Sequence, residues 1–162
     1  MSDSRRWYLD TSVLLRAMLG DSPSALAWLN KAFTAGDEFY SSHLLETETM
    51  RTIHNSHLAA GGVDYPDWSI PRMWLDRINR VHITQAILAD AILLAASIRT
   101  LDAIHLATAD ALGSSVGVVT HDARMAEAIR TLNAHPVHPR RLRVYDPVDD
   151  DPTHPPVGPT PQ

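Results

Sequence analysis

The chain has 162 residues and no cysteine, so it has the length of one domain and lacks disulfides, thiolate metal sites and cysteine nucleophiles. Apolar residues make up 44% and charged residues 20%, an ordinary globular composition. The formal charge of −5 is uneven: residues 144–162 hold four acids and no Lys or Arg, which leaves 15 acids against 14 bases in residues 1–143 and argues against a uniformly basic nucleic-acid binder.

Trp7-Tyr8-Leu9 reads as a first strand ending at Asp10. Asp10-Thr11-Ser12 offers capping chemistry for a helix over Val13–Leu19. Gly20 and Ser22-Pro23 stop that helix and begin another, Ala25–Phe33, closed by Gly36. Phe39–Ser42 suggests a second strand, and Leu44 to about Ala60 a long helix ended by Gly61-Gly62. Residues 63–71, with two prolines, read as a loop before a helical piece at Arg72–Asn79. Val81–Ile83 is a short third strand. Gln85–Ser97 is apolar almost all round and predicts a buried helix. Leu101–Leu112 is the next helix, with Thr100 as its cap. The β-branched run Gly117–Thr120 fits a buried parallel strand, His121-Asp122 opens a helix to about Asn133, and Leu142–Tyr145 supplies a last extended piece.

Alternating strands and helices predict a mostly parallel central sheet with helices on both faces. The expected boundaries are a domain at residues 1–145 and a tail at residues 146–162, whose six prolines and acidic run predict disorder. No apolar run approaches the roughly 18 residues of a membrane span. The opening Met-Ser-Asp-Ser-Arg-Arg has no signal-peptide core, so no membrane association and a cytoplasmic location are expected.

In open α/β sheets ligands bind outside the carboxyl ends of the strands. The polar residues expected there are mostly acids: Asp10 after the first strand, Asp122 after the strand ending at Thr120, Asp102 in a first helical turn, and Glu46 and Glu48 after the second strand. Each alone has an ordinary explanation as a cap, a partner for a helix dipole or half of a surface ion pair. Together they would repel one another unless a cation stood among them. Oxygen donors without cysteine favour Mg²⁺ or Mn²⁺, and such a site suits phosphodiester hydrolysis. A haloacid-dehalogenase-type phosphatase needs a second Asp where Ser12 stands. A receiver domain needs a strand-end lysine, whereas the only lysine is Lys31.

Four segments resemble, in order, the motifs of PIN domains: Tyr8–Leu15, Ser41–Arg51, Arg99–Ala109 and Val119–Ala128. The third is the most specific, and the match runs from about Arg6 to Pro139. The nearest subfamily is the VapC toxins of bacterial VapBC toxin–antitoxin pairs. The resemblance implies a three-layer α/β/α PIN-like fold and an Mg²⁺- or Mn²⁺-dependent endoribonuclease acting through a metal-activated water. It implies Asp10 and Asp102 as principal metal ligands, Asp122 and Glu48 completing the acidic set, and Thr11, Ser12 and Thr120 as supporting hydroxyls. Glu48 fits better than Glu46 because Arg51 follows it by three residues, whereas apolar periodicity does not choose between them. His105 fits as a structural hydrogen-bonding residue. His121 stands where the family often has an aromatic, and its expected environment is solvent.

The resemblance also implies a VapB-type antitoxin as partner, structured RNA of the tRNA or rRNA class as substrate, and a homodimer. No substrate-binding residue is identified, although Arg140, Arg141 and Arg143 are candidates for phosphate contacts. The alternative is a catalytically silent PIN-like module that binds RNA or protein.

Overall fold

A computed structural model describes residues 5–94, 96–137 and 139–146. The elements are β1 (Arg6–Leu9), α1 (Thr11–Leu19), α2 (Pro23–Thr34), β2 (Glu38–Ser42), α3 (Leu44–Ala59), α4 (Ser69–Leu75), β3 (Asn79–Val81), α5 (Gln85–Leu93), α6 (Thr100–Ala111), β4 (Val116–Val119), α7 (Ala123–Asn133) and β5 (Arg143–Tyr145). The strands form one five-stranded sheet in the order β3-β2-β1-β4-β5, with every neighbouring pair parallel. From β1 the chain first builds outward through β2 and β3, then returns to the other flank of β1 with β4. β1 and β4 therefore border the switch in strand order, where a crevice opens at the carboxyl ends.

The pleat of β1 divides the two cores. Trp7 and Leu9 face one layer, with Val13, Leu14, Trp28, Leu29, Phe39, Trp74 and Tyr145. Tyr8 faces the other, with Leu106, Val118, Met125, Ile129 and Leu142. Successive strand residues point to opposite faces, so this alternation produces a three-layer α/β/α arrangement. Trp28 meets Trp7 edge to face at 5.4 Å and Phe39 at 5.8 Å. Gly117 is required beside Trp7: a Cβ there would lie 2.7 Å from the indole ring. Gly20 ends α1 with φ of 80°, a left-handed conformation that side chains disfavour.

Several boundaries differ from expectation. α4 begins at Ser69 because Pro71 lies in its first turn, where a missing N–H costs no helical hydrogen bond. β3 sits at Asn79–Val81 rather than at residues 81–83. Thr100 is the first residue of α6, and Arg99 occupies the cap position without a side-chain bond.

The larger correction concerns α5. It ends at Leu93, its only buried residue is Ile87, and Ile92 and Leu93 are 82% and 75% exposed. Its all-round apolar character therefore does not correspond to burial within this chain.

Arg140 and Arg143 are also committed within the fold. Arg140 bridges Asp110 of α6 and Asp90 of α5, the latter at 2.7 Å, while Arg143 donates to the Ser115 carbonyl at 2.7 Å. Of the three arginines considered for RNA contacts, Arg141 is the exposed one. Among the described residues no helix is long and apolar enough to cross a membrane. The expectation for residues 147–162 of the tail lies outside the described residues.

Candidate functional site

The carboxyl edge of the sheet gathers the predicted acids. Asp10 follows β1, and its N–H donates to the Val119 carbonyl of β4 at 3.0 Å. It occupies the cap position of α1 but makes no side-chain capping bond. Instead its Oδ2 accepts from Ser12 Oγ at 2.5 Å and from Thr120 Oγ1 at 2.9 Å. The two hydroxyls also accept backbone N–H groups: Ser12 Oγ from His121 at 3.1 Å, and Thr120 Oγ1 from Asp122 at 2.9 Å. Ser12 and Thr120 thus tie the end of β1 to the turn after β4, aiming a buried carboxylate that does not cap its own helix.

Asp122 does cap α7, accepting the Arg124 N–H at 2.8 Å through Oδ1. Its Oδ2 faces Arg99 Nη2 at 3.5 Å, and Arg99 Nε lies 3.4 Å from Asp102 Oδ2. Burial holds the Asp102 carboxyl above its usual range, with Asp122 and Asp10 adding repulsion that Arg99 only partly offsets. The Thr120 hydroxyl links Asp10 to the Asp122 backbone, and Arg99 bridges Asp122 and Asp102, so the three acids share one neighbourhood. Arg99, which sequence reasoning did not single out, precedes Asp102 by one helical turn and supplies the cation between two of the acids. Its i, i+3 spacing was the available signal.

Glu48 joins from α3. Its Oε2 accepts from Thr11 Oγ1 at 2.6 Å and from His105 Nε2 at 2.9 Å. Glu46 points elsewhere, to Arg80 at 3.1 Å, and is exposed. Two residues on a helix are about 200° apart, which is why one glutamate reaches the pocket and the other does not.

His105 is the buried hub of this half. Its Nδ1 lies 2.7 Å from Tyr8 Oη and 3.3 Å from Ser42 Oγ, and the Ser42 N–H donates to Tyr8 Oη at 3.1 Å. Glu48 can only accept, so Nε2 carries a proton and donates to it. Burial opposes charging of the imidazole, but the bond to Glu48 and the nearby Asp10 and Asp102 outweigh it and raise its pKa. Burial likewise opposes charging of Glu48, yet the bonds from His105 and Thr11 hold its carboxyl below the usual range. Tyr8, with its phenol pushed far upward by burial, and Ser42 escaped the sequence reading. The strand alternation that turns Tyr8 away from Trp7 and Leu9 was the signal for the first.

His121 corrects an expectation. It is buried rather than solvent-facing, and Nδ1 lies 2.8 Å from Asp146 Oδ1. The register Val119↔Tyr145 carries the turn after β4 alongside the end of β5, bringing the two together.

The donor set is all oxygen and suits a hard divalent cation. The unrelieved repulsion at Asp102 fits one as well. Among the described residues, however, no three His, Asp or Glu side chains converge closely enough to ligate one ion as arranged. Arg99 already engages Asp102 and Asp122, so occupancy by a cation requires that guanidinium and these side chains to readjust.

A family model described as the PIN domain matches residues 7–130. A comparison with curated protein sequences finds no significant match. Among solved structures, the fold is similar to a toxin–antitoxin complex from Klebsiella pneumoniae, with TM-score 0.55 and 19% identity over 87% of this chain and 97% of that one. It is also similar to VapBC-1 from nontypeable Haemophilus influenzae, with TM-score 0.58 and 17% identity over 88% of this chain and 98% of that one.

Proposed function

Because the chain belongs to the PIN domain family, we propose that it is a metal-dependent endoribonuclease acting as the toxin of a toxin–antitoxin pair. The observation that carries this reading is the gathering of acids at the carboxyl edge of the sheet, where Thr120 links Asp10 to Asp122 and Arg99 bridges Asp122 and Asp102. Asp10 and Asp102 would hold Mg²⁺ or Mn²⁺, with Asp122 and Glu48 completing the set. When bound, such an ion activates water and neutralises charge at the scissile phosphate.

The chain's own residues prepare that site. Ser12 and Thr120 fix the Asp10 carboxylate, while Thr11 and His105 fix Glu48. Arg99 offsets charge on Asp102 and Asp122 until a cation replaces it. Unpaired loops of tRNA or rRNA are the accessible RNA class, because their bases are not locked in a helix. The antitoxin reading is supported by the two similar folds, which were solved as toxin–antitoxin complexes. A homodimer would cover the exposed Ile92 and Leu93 of α5. The domain itself would occupy residues 1–145, and a cytoplasmic location follows from an RNA target of this kind.

The engagement of Arg99 with two of the acids also favours a second reading, a silent module that binds RNA without cutting. Incubating the purified chain with a small-RNA pool in Mg²⁺, Mn²⁺ or EDTA separates the two. Discrete fragments that require the metal are expected. RNA binding without fragments in either metal would sink the nuclease and leave the silent module.

Arg99→Ala tests the competition for the acids directly. Exposed pairs of this kind are worth about 0.2–1 kcal/mol each. Mn²⁺ is therefore expected to bind the variant up to roughly tenfold more tightly, as read by paramagnetic resonance titration. Unchanged or weaker binding would show that Arg99 does not compete.

A further inference from the structure

The parallel register of β2 and β3 has a consequence at the rim of the acidic edge. Ser42 pairs with Val81, so the next residues, His43 and His82, leave adjacent strands side by side. The His43 N–H donates to the Val81 carbonyl at 3.2 Å and clamps that junction. The two imidazoles stack with centroids 4.4 Å apart and an interplanar angle of 26°. Both residues are exposed. The histidines held by carboxylates are His105 and His121, so the exposed stack stands outside those buried networks.

Its location links it to the site. All five strands are parallel, so the stack stands on the same edge as Asp10, Asp102 and Asp122. Ser42, immediately before His43, contacts the His105 ring that holds Glu48. β3 lies two strand spacings from β1, about 10 Å.

We propose that the His43–His82 stack is a base-binding subsite, which holds an unpaired RNA base flanking the bond presented to the acids. Flat rings accept any base by stacking on its face. The inference rests on the reading of the chain as an RNA-directed protein and assigns a substrate contact that the acids alone do not supply.

The test is binding, measured in EDTA so that nothing is cut. The full chain, His43→Ala, His82→Ala and His43→Phe are titrated against a fluorescein-labelled single-stranded adenosine decamer, read by anisotropy. An abasic ribose–phosphate decamer of equal charge is the control. Each alanine variant is expected to bind the adenosine decamer about tenfold more weakly. His43→Phe, which keeps a flat ring, should bind nearly as tightly as the parent. The abasic strand should not discriminate among the four proteins.

Equal affinity of the alanine variants and the parent for the adenosine strand would overturn the subsite. So would a loss that appears equally with the abasic strand, since that reports charge. Thermal melts identify any variant that fails to fold, and His43→Phe and His82→Ala then keep the test open. A chain that cuts RNA but whose histidine variants bind unchanged loses only the subsite. A chain that needs the stack for binding but never cuts loses only the nuclease.

Discussion

Asp10→Asn is expected to lower RNA cleavage by at least about 10³-fold, equivalent to about 4 kcal/mol of transition-state stabilisation, while stability stays within about 1 kcal/mol of the parent. The two effects separate because of what surrounds the side chain. Its Oδ2 accepts from Ser12 and Thr120, and an asparagine oxygen can take the same position. The fold therefore keeps those bonds. What the substitution removes is a negative charge, and that charge contributes to the repulsion that lifts Asp102. Losing it relieves the cluster and weakens any cation site at the same time. Cleavage at fixed Mn²⁺ and urea unfolding in EDTA measure the two effects. Full activity in both Asp10→Asn and Asp102→Asn would remove these residues from the site. A loss of several kcal/mol in stability would show instead that Asp10 is chiefly structural.

Much of this arrangement was legible before any coordinates. The ends of β1 and β4 were marked by apolar runs that stop at Asp10 and Thr120, because a buried parallel strand is apolar until it reaches the ligand edge. Helical spacing limited the glutamate to one of two. It could not say which, since the choice depends on how α3 rotates against α1 and α6. The bonds from Thr11 and His105 to Glu48, and from Arg80 to Glu46, express that rotation.

The misreadings share a physical origin. His121, expected to face solvent, is covered because the neighbouring strand end brings Asp146 against it. The α5 segment was assigned to the core from composition, but an apolar helix has no means of specifying whether its cover is its own chain or another. The His43–His82 stack was equally hidden. The residues are far apart in sequence, and only the register of β2 with β3 makes them neighbours.

The acidic edge also divides into two halves of opposite character. Asp10, Asp102 and Asp122 stand at one edge, and the exposed Arg99 that bridges the latter two only partly offsets the burial and repulsion felt by Asp102. Glu48 is instead tied into a buried, satisfied network with His105, Tyr8 and Ser42. Substitutions in the first half should trade activity for little or no stability. Those in the second should cost stability first, because each removes a partner from a buried polar group.

His105→Ala is accordingly expected to destabilise the chain by about 3–5 kcal/mol, the cost of removing a partner from buried polar groups and leaving a cavity. The loss has three parts. Tyr8 Oη loses its acceptor at Nδ1, Glu48 loses a donor that holds its carboxyl ionised, and the space left lies against the Tyr8 ring, whose centroid is 6.0 Å from the imidazole. The phenol stays protonated because burial pushes its pKa far upward, so it loses its imidazole acceptor and keeps only the Ser41 and Ser42 groups around it. His105→Gln retains a donor and an acceptor and should lose distinctly less. Tyr8→Phe removes one hydroxyl and should cost about 1–2 kcal/mol. Combined with His105→Ala, its effect should shrink, because the hydroxyl's partner is already gone; a coupling of about 0.5–3 kcal/mol in urea unfolding is expected. Strict additivity would mean that the two side chains do not act as one network.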